Sequence, residues 1–304
     1  MKKLALILAL ALSITSLSFA EGNERGGNNL YTFFVNIVNE QFNFPLIGFI
    51  NIAKGDHNLP QIGFVNWNLR NFGSAQLGFI NTIAGNLSGF QLGYVNTSLG
   101  KTNGAQMGFV NTTLGNTNGA QIGFINTTLN SVNGVQFGFV NFADTIESGI
   151  PIGFLSVVRN GGYRALEFGV SEIALFNVSF KIGVERFYSS FTVSYNPFLD
   201  IFREQLIFGF GFGSIITLTE VFFLNPEVKW HNRAVASSSS YLSVTPYFGF
   251  NIIPRLSVVL GPTVSLEHNR NNDERFPFFR IVEHSINRSN KLYLGARVGI
   301  RFRW

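Results

Sequence analysis

The side chains best suited to catalysis or metal binding in this 304-residue chain are its four histidines, because cysteine is absent. His57, His231, His268 and His284 show no metal-ligand spacing to one another, and the lack of cysteine excludes thiol catalysis and thiolate metal sites. A serine paired with His231 or His268 would suit a hydrolase, although no flanking motif supports that hypothesis. We therefore predict no catalytic, cofactor-binding or metal-binding residue and no cofactor.

Three Asn-x-Ser/Thr triplets, which begin at Asn96, Asn111 and Asn126, match the acceptor pattern for N-glycosylation. The triplets follow an internal repeat, so we interpret them as a structural ladder and turn. Calcium-binding β-rolls need an aspartate in each copy of their repeat. The only acidic residues between positions 41 and 158 are those at 56, 144 and 147, which excludes a calcium array.

The repeat that carries these triplets covers residues 34–160. Glycine recurs every 15 residues, followed at once by an aromatic residue and, three positions after the glycine, by asparagine in all but the last copy. The glycines are Gly48, Gly63, Gly78, Gly93, Gly108, Gly123, Gly138 and Gly153. In the copy at 104–118, Ala105 to Thr112 alternates as a β-strand does. Such a short unit suits one coil of a β-solenoid, with equivalent residues stacked at the ~4.8 Å strand spacing. We expect phenylalanine to stack inside and asparagine to stack at a corner.

An alternative interpretation makes each repeat one membrane strand of a larger barrel. The outward residues of a typical copy would then be only Met107 and Phe109, bounded by Asn111. That band is too thin for the ~25 Å apolar belt of an outer-membrane barrel. We therefore favour the solenoid, in which Phe109 would be buried between Tyr94 and Phe124.

Longer segments with period-two alternation follow in residues 161–304. In the last segment seven apolar residues share one face, namely Leu292, Leu294, Ala296, Val298, Ile300, Phe302 and Trp304. This strand resembles the terminal signal strand that barrel-assembly machinery recognises. We count eight strands, at 163–170, 176–183, 187–195, 206–213, 217–230, 242–250, 256–266 and 292–304. An even number of strands is typical of a bacterial outer-membrane barrel.

An eight-stranded barrel has an interior just wide enough for side chains, so charges that point inward should pair there. The predicted inward charges are Glu167, Lys181, Glu227, Lys229, Arg255, Glu267, Arg297 and Arg301. We interpret them as a network that plugs the barrel, and ion conduction is the alternative.

Residues 269–290 are predicted to form an external loop. Its aromatic cluster, Phe276-Pro277-Phe278-Phe279, would either contact a partner or lipid headgroups or pack on the barrel rim.

The N-terminus has the pattern of a secretory signal peptide in residues 1–20. Lys2 and Lys3 precede an apolar run from Leu4 to Ser16, and small residues at 18 and 20 suit a signal peptidase. We assign residues 21–33 to an N-terminal linker. Without Lys2 and Lys3 the formal net charge falls from +5 to +3. This positive bias is too weak to indicate nucleic acid as a partner, and the chain has no basic stripe.

The repeat Gly-x-Gln-x-Gly-Phe-x-Asn, together with the segments Gly153 to Gly161, Tyr163 to Glu167 and Val178 to Gly183, resembles a bacterial family of surface-repeat-containing proteins. The likeness covers essentially the whole chain after the signal peptide. That family has no established biochemical activity, so the resemblance implies a location in the outer membrane and no catalytic residues.

These patterns together predict an all-β, non-catalytic outer-membrane protein, in which a barrel anchor carries a repeat domain for structural or adhesin-like interactions. The expected partners are outer-membrane lipid, the barrel-assembly machinery through the C-terminal strand, and a protein or host surface of unknown identity. A narrow channel is the second hypothesis for the function, and a hydrolase is the third.

An even-stranded barrel places both chain ends in the periplasm, which conflicts with surface exposure of the repeats.

Overall fold

The computed structural model describes residues 29–39, 42–197, 205–233, 239–269, 281–287 and 289–304. The predicted signal peptide, most of the predicted linker and the aromatic cluster at 276–279 lie outside the described residues. The described chain forms a β-solenoid of about eight coils followed by a closed antiparallel β-barrel, as the sequence predicts. No helix among the described residues is long and apolar enough to cross a membrane.

The solenoid is built from parallel strands that stack in register with the next coil, except that its first strand pairs antiparallel with its second. Its strands are β1 (Leu30–Tyr31), β2 (Val35–Val38), β3 (Leu46–Ile47), β4 (Ile50–Ala53), β5 (Gln61–Ile62), β6 (Val65–Asn68), β7 (Ala75–Leu77), β8 (Ile80–Ile83), β9 (Leu87–Leu92), β10 (Val95–Ser98), β11 (Thr102–Met107), β12 (Val110–Thr113), β13 (Thr117–Ile122), β14 (Ile125–Ile146) and β15 (Ile150–Val158). In the parallel strands each residue pairs with the residue 15 positions away, as Val95 does with Val110. This register excludes the alternative of one large antiparallel barrel.

The interior of the solenoid is filled largely by amide side chains. The asparagines from Asn36 to Asn141 form one buried ladder, in which each Nδ2 donates to the next Oδ1 at 2.7–2.9 Å. The glutamines from Gln61 to Gln136 form a second buried ladder at 2.6–2.8 Å. Each buried amide therefore finds partners in the neighbouring coils, as buried polar groups require.

The expectation that phenylalanine stacks inside the solenoid is wrong. The rings do stack coil on coil, with Phe109 4.9 Å from Phe124 and 5.0 Å from Tyr94, but they stand outside the coil and Phe109 is 41% exposed. The predicted strand from Ala105 to Thr112 is also interrupted, because β11 and β12 flank a corner at Gly108 and Phe109. The corner reverses the chain and points the ring away from the amide interior.

Glycine at the corner of each coil is required by the close approach of neighbouring coils. A Cβ on Gly108 would stand 2.1 Å from the carbonyl oxygen of Gly93 and 2.6 Å from Nδ2 of Asn96. Both atoms belong to the stacked core and cannot move aside. Glycine is typical of places where another backbone approaches closely, which accounts for its recurrence at every corner.

Removing one complete repeat should disturb the solenoid far less than removing part of one. Deletion of residues 104–118 joins Asn103 to Gly119, and the pairing of β11 with β13 shows that these coils are equivalent position by position. Deletion of residues 104–110 instead shifts Asn111 to the position of Gly104 and breaks both amide ladders. We expect near-native thermal unfolding by circular dichroism for the first variant and loss of the folded solenoid for the second. Equal damage from both deletions would contradict the stacked-coil structure.

The barrel begins at Tyr163 and closes by pairing its first strand with its last. Its strands are β16 (Tyr163–Val170), β17 (Phe176–Val184), β18 (Phe187–Tyr195), β19 (Leu206–Gly213), β20 (Ile216–Thr217), β21 (Phe222–Arg233), β22 (Ser239–Ile253), β23 (Leu256–Asn269), β24 (Val282–Ser285) and β25 (Asn290–Arg303). All of these except β20 and β24 form the closed eight-stranded wall. The predicted strand number is thus confirmed.

The two rims of the barrel differ. Two-residue turns join β17 to β18 and β22 to β23, and the chain ends at the same rim with Trp304. We call this the short-turn rim. Part of the predicted loop at 269–290 forms β24 instead, which pairs with β25 at the opposite rim beyond the end of β16.

Candidate functional site

The barrel interior holds a buried network of alternating charges, which strand alternation aims inward from β16, β17, β21 and β25. Lys181 lies 2.9 Å from Glu167 and also contacts Glu227, while Lys229 lies 2.7 Å from Glu227. Arg301 approaches Glu167 at 2.6 Å. None of the five side chains is more than 7% exposed. Each of these charges has at least one oppositely charged neighbour, as burial in a confined space demands.

A second interior pair lies nearer the opposite rim. Arg297 contacts Glu172 through two nitrogens, at 2.9 and 2.6 Å, and Glu172 is fully buried. Ser265 and Tyr241 also donate to this carboxylate, at 3.2 and 3.5 Å. Strand alternation does not predict Glu172 as an inward charge, because this residue follows β16 in a connection, where period-two alternation no longer fixes the direction of a side chain.

Side chains fill the barrel. The predicted inward charges are all buried except Arg255, which is exposed at the turn between β22 and β23, so that assignment is wrong. A residual cavity of about 20 Å³ remains beside Lys229, His231 and Arg297. That volume is close to the space needed for one water molecule. The interior therefore has the character of a packed core with paired charges.

The outer wall of the barrel is an apolar belt. Every strand in the closed wall presents large apolar residues outward that are exposed over 37–57% of their surface. Examples are Phe168, Val178, Val193, Phe208, Val228, Val244, Leu260, Val264, Val298 and Ile300. Charges inside and apolar groups outside invert the pattern of a soluble barrel, and this inversion is the feature that most limits the choice of function.

The solenoid carries an apolar surface of its own, which we call the aromatic edge. It consists of the aromatic corner residues Phe49, Phe64, Phe79, Tyr94, Phe109, Phe124, Phe139 and Phe154, with an apolar residue on either side of each corner. Successive rings lie 4.8–5.0 Å apart and within 5° of parallel. The corner rings remain 39–55% exposed.

The opposite side of each coil, the polar edge, comprises residues 54–57, 69–72, 84–87, 99–102, 114–117, 129–132, 144–147 and 159–161. Every charged residue between positions 42 and 160 lies on it, namely Lys54, Asp56, Arg70, Lys101, Asp144, Glu147 and Arg159. The solenoid is thus amphipathic, with one apolar and one polar edge.

The four histidines lie apart from one another. His57 is buried in the solenoid, where desolvation lowers its pKa below the usual range. His268 and His284 are exposed near the rim away from the short turns. His231 lies inside the barrel with Nε2 3.5 Å from Oγ of Ser243, and its Nδ1 has no hydrogen-bond partner among the described residues. The third group that would orient a catalytic base is therefore not seen beside His231.

The three Asn-x-Ser/Thr triplets are structural. Asn96, Asn111 and Asn126 are fully buried, and each side chain is hydrogen bonded within the asparagine ladder. A glycan on any of them would have to displace the core of the solenoid. This confirms the interpretation of the triplets as a ladder.

Among the described residues, no group of three or more potential metal ligands comes together. Comparison of the chain with protein-family models, with curated proteins and with solved structures found no match.

Proposed function

We propose that the chain is a non-catalytic outer-membrane protein, in which the barrel is the anchor and the solenoid provides a structural or interaction surface. The observation that carries this proposal is the inside-out polarity of the barrel. Its exposed wall is apolar all round, whereas its buried interior holds paired charges. A closed barrel also leaves no unpaired strand edge, which a bilayer does not tolerate.

Two further features support a bacterial outer membrane as the location. The final strand, β25, ends in alternating apolar residues and Trp304, like the signal strand that assembly machinery recognises. The resemblance to surface-repeat-containing proteins implies the same location. In such barrels the short turns face the periplasm, so the short-turn rim is assigned to that side.

Deleting Phe302 to Trp304 should block assembly into the outer membrane. These residues contribute to the seam of the barrel, where Phe302 pairs with Leu166 and Leu256. The expected result is loss of the heat-modifiable species from the outer-membrane fraction. The control is deletion of residues 104–118, which removes more of the chain but leaves the barrel intact and should still assemble. Normal outer-membrane assembly of the truncated chain would overturn the proposal.

The plugged interior predicts that the protein does not conduct ions steadily. We expect purified protein in planar lipid bilayers to show no stable large conductance, because the luminal charges are paired and the residual cavity is about 20 Å³. A stable open pore whose ion selectivity changes with Arg297→Glu would contradict this and favour a channel.

A further inference from the structure

We propose that the aromatic edge of the solenoid is embedded in membrane lipid, so that the solenoid extends from the barrel along the membrane with its polar edge toward the periplasm. This inference rests on the proposed outer-membrane location of the barrel. It assigns an occupant, the acyl chains of the bilayer, to a surface that is otherwise unpartnered. It also removes the conflict between an N-terminal repeat domain and a barrel whose ends lie in the periplasm.

The size and composition of the aromatic edge argue for lipid. Seven consecutive ring spacings near the ~4.8 Å strand repeat give a ladder of roughly 35 Å. Columns of apolar residues flank it, represented in one coil by Met107 and Val110, and no charged residue between positions 42 and 160 lies on this side. Exposed apolar patches of this extent mark interaction or membrane surfaces.

The backbone at the aromatic edge is also suited to lipid, because most of its amides donate hydrogen bonds to a neighbouring coil. The amide of Tyr94 donates to the carbonyl of Phe79 at 3.0 Å, and the amide of Phe124 donates to that of Phe109 at 3.0 Å. The amide of Gly108 donates to the carbonyl of Ile122 at 3.0 Å. Unpaired backbone groups are what normally keeps a chain corner out of a bilayer, and here successive coils satisfy most of the corner amides.

The aromatic edge is continuous with the apolar belt of the barrel. Phe154, the last ring of the ladder, lies 5.0 Å from the ring of Phe191 and 4.8 Å from that of Phe210. Both belong to the outer wall and lie within β18 and β19, away from the ends of those strands. Beside them, Ser189 donates to the carbonyl of Gly153 at 2.8 Å. Any lipid that covers the belt therefore meets the aromatic edge at the same depth.

The polar edge meets the barrel at a different height. After β15 the chain passes through Arg159 and Asn160 and enters β16 at the short-turn rim. A cleft of about 430 Å³ lies there between the two units, lined by Glu147 of the polar edge and by Glu185, Arg255 and Trp304 of the rim. The aromatic edge thus points toward the middle of the barrel wall while the polar edge points toward the periplasmic rim.

The absence of cysteine from the chain allows a direct test with single labels. The full-length protein is folded into dimyristoyl-phosphatidylcholine vesicles that contain doxyl-labelled phosphatidylcholine. A fluorescent label is placed on Phe109→Cys at the aromatic edge, on Lys101→Cys at the polar edge, or on Val264→Cys in the barrel belt. Phe124→Cys repeats the aromatic-edge measurement one coil along. Iodide serves as the water-phase quencher.

We expect the doxyl lipid to reduce the fluorescence of the Phe109→Cys and Phe124→Cys labels as strongly as that of the Val264→Cys label. Of the four labels, only the one on Lys101→Cys should be quenched by iodide. If the Val264→Cys label is quenched by doxyl lipid but the aromatic-edge labels respond only to iodide, the inference fails and the outer-membrane proposal stands. If the Val264→Cys label is not quenched by lipid, the outer-membrane proposal fails and this inference with it.

Two other outcomes would also overturn the inference. Shielding of the aromatic-edge labels from both quenchers would identify another protein surface, such as a second copy of the chain, as the occupant. Lipid quenching of the Lys101→Cys label as well would mean that the solenoid is immersed on both edges, which contradicts its amphipathic orientation.

Discussion

Arg297→Met should destabilise the barrel by about 3–5 kcal/mol, because it leaves the Glu172 carboxylate buried without its cationic partner. Arg297 makes both of its contacts with this one carboxylate, at 2.9 and 2.6 Å. The measurement is the free energy of unfolding in urea of the vesicle-folded protein. We expect the barrel to unfold at a lower urea concentration, with little change in the slope of the unfolding free energy against urea concentration.

The double variant Arg297→Met/Glu172→Gln provides the control for the buried pair. It removes both charges and keeps an acceptor for Ser265 and Tyr241, so most of the lost stability should return. Lys291→Met, in the same strand, breaks a partly exposed pair with Glu283 and should cost about 1 kcal/mol or less. A double variant no more stable than Arg297→Met would show that the cost does not come from the unpaired carboxylate.

Asn111→Asp should destabilise the solenoid by about 3–5 kcal/mol, because it places an uncompensated charge in a buried ladder. The substitution preserves shape but removes two donated bonds, one to Oδ1 of Asn126 and one to the carbonyl of Ile122, both 2.9 Å long. Thermal unfolding followed by circular dichroism should show a lower midpoint for the β-structure of the solenoid.

Asn118→Asp is the matched control for the buried ladder. Asn118 lies in the same repeat and donates to Oδ1 of Asn103 at 2.8 Å, but it is exposed. Its substitution should change stability by about 0.5 kcal/mol or less, as exposed substitutions usually do. If the two aspartate variants were equally stable, the amide ladder would not be the core of the solenoid.

The barrel could be predicted strand by strand because lipid outside and packed side chains inside both enforce period-two alternation. β25 alternates without interruption, so its inward arginines, Arg297 and Arg301, were assigned correctly. Alternation fails where the chain leaves the wall. It gave no direction for Glu172 after β16, and it placed Arg255 inside although a two-residue turn points it into solvent.

The repeat fixed the period of the solenoid but not which residues face its interior. The prediction that phenylalanine lies inside follows the usual preference for apolar cores. An amide core can be recognised only when the register between coils is known. In register, the side chain of Asn96 donates both to the next asparagine, at 2.8 Å, and to the carbonyl of Met107, at 2.8 Å. This complete pairing makes a polar interior stable and leaves the aromatic ring free to face outward.

The most direct test of a barrel surrounded by lipid is the effect of one charge on its outer wall. Val298 is 54% exposed in the middle of β25, and Ile286, 56% exposed, lies just beyond β24. Val298→Arg should lower the free energy of unfolding in vesicles by about 2–4 kcal/mol, because the arginine must enter the apolar layer. Ile286→Arg should have almost no effect. A neutral Val298→Arg would mean that water covers the wall, and the outer-membrane assignment would be wrong.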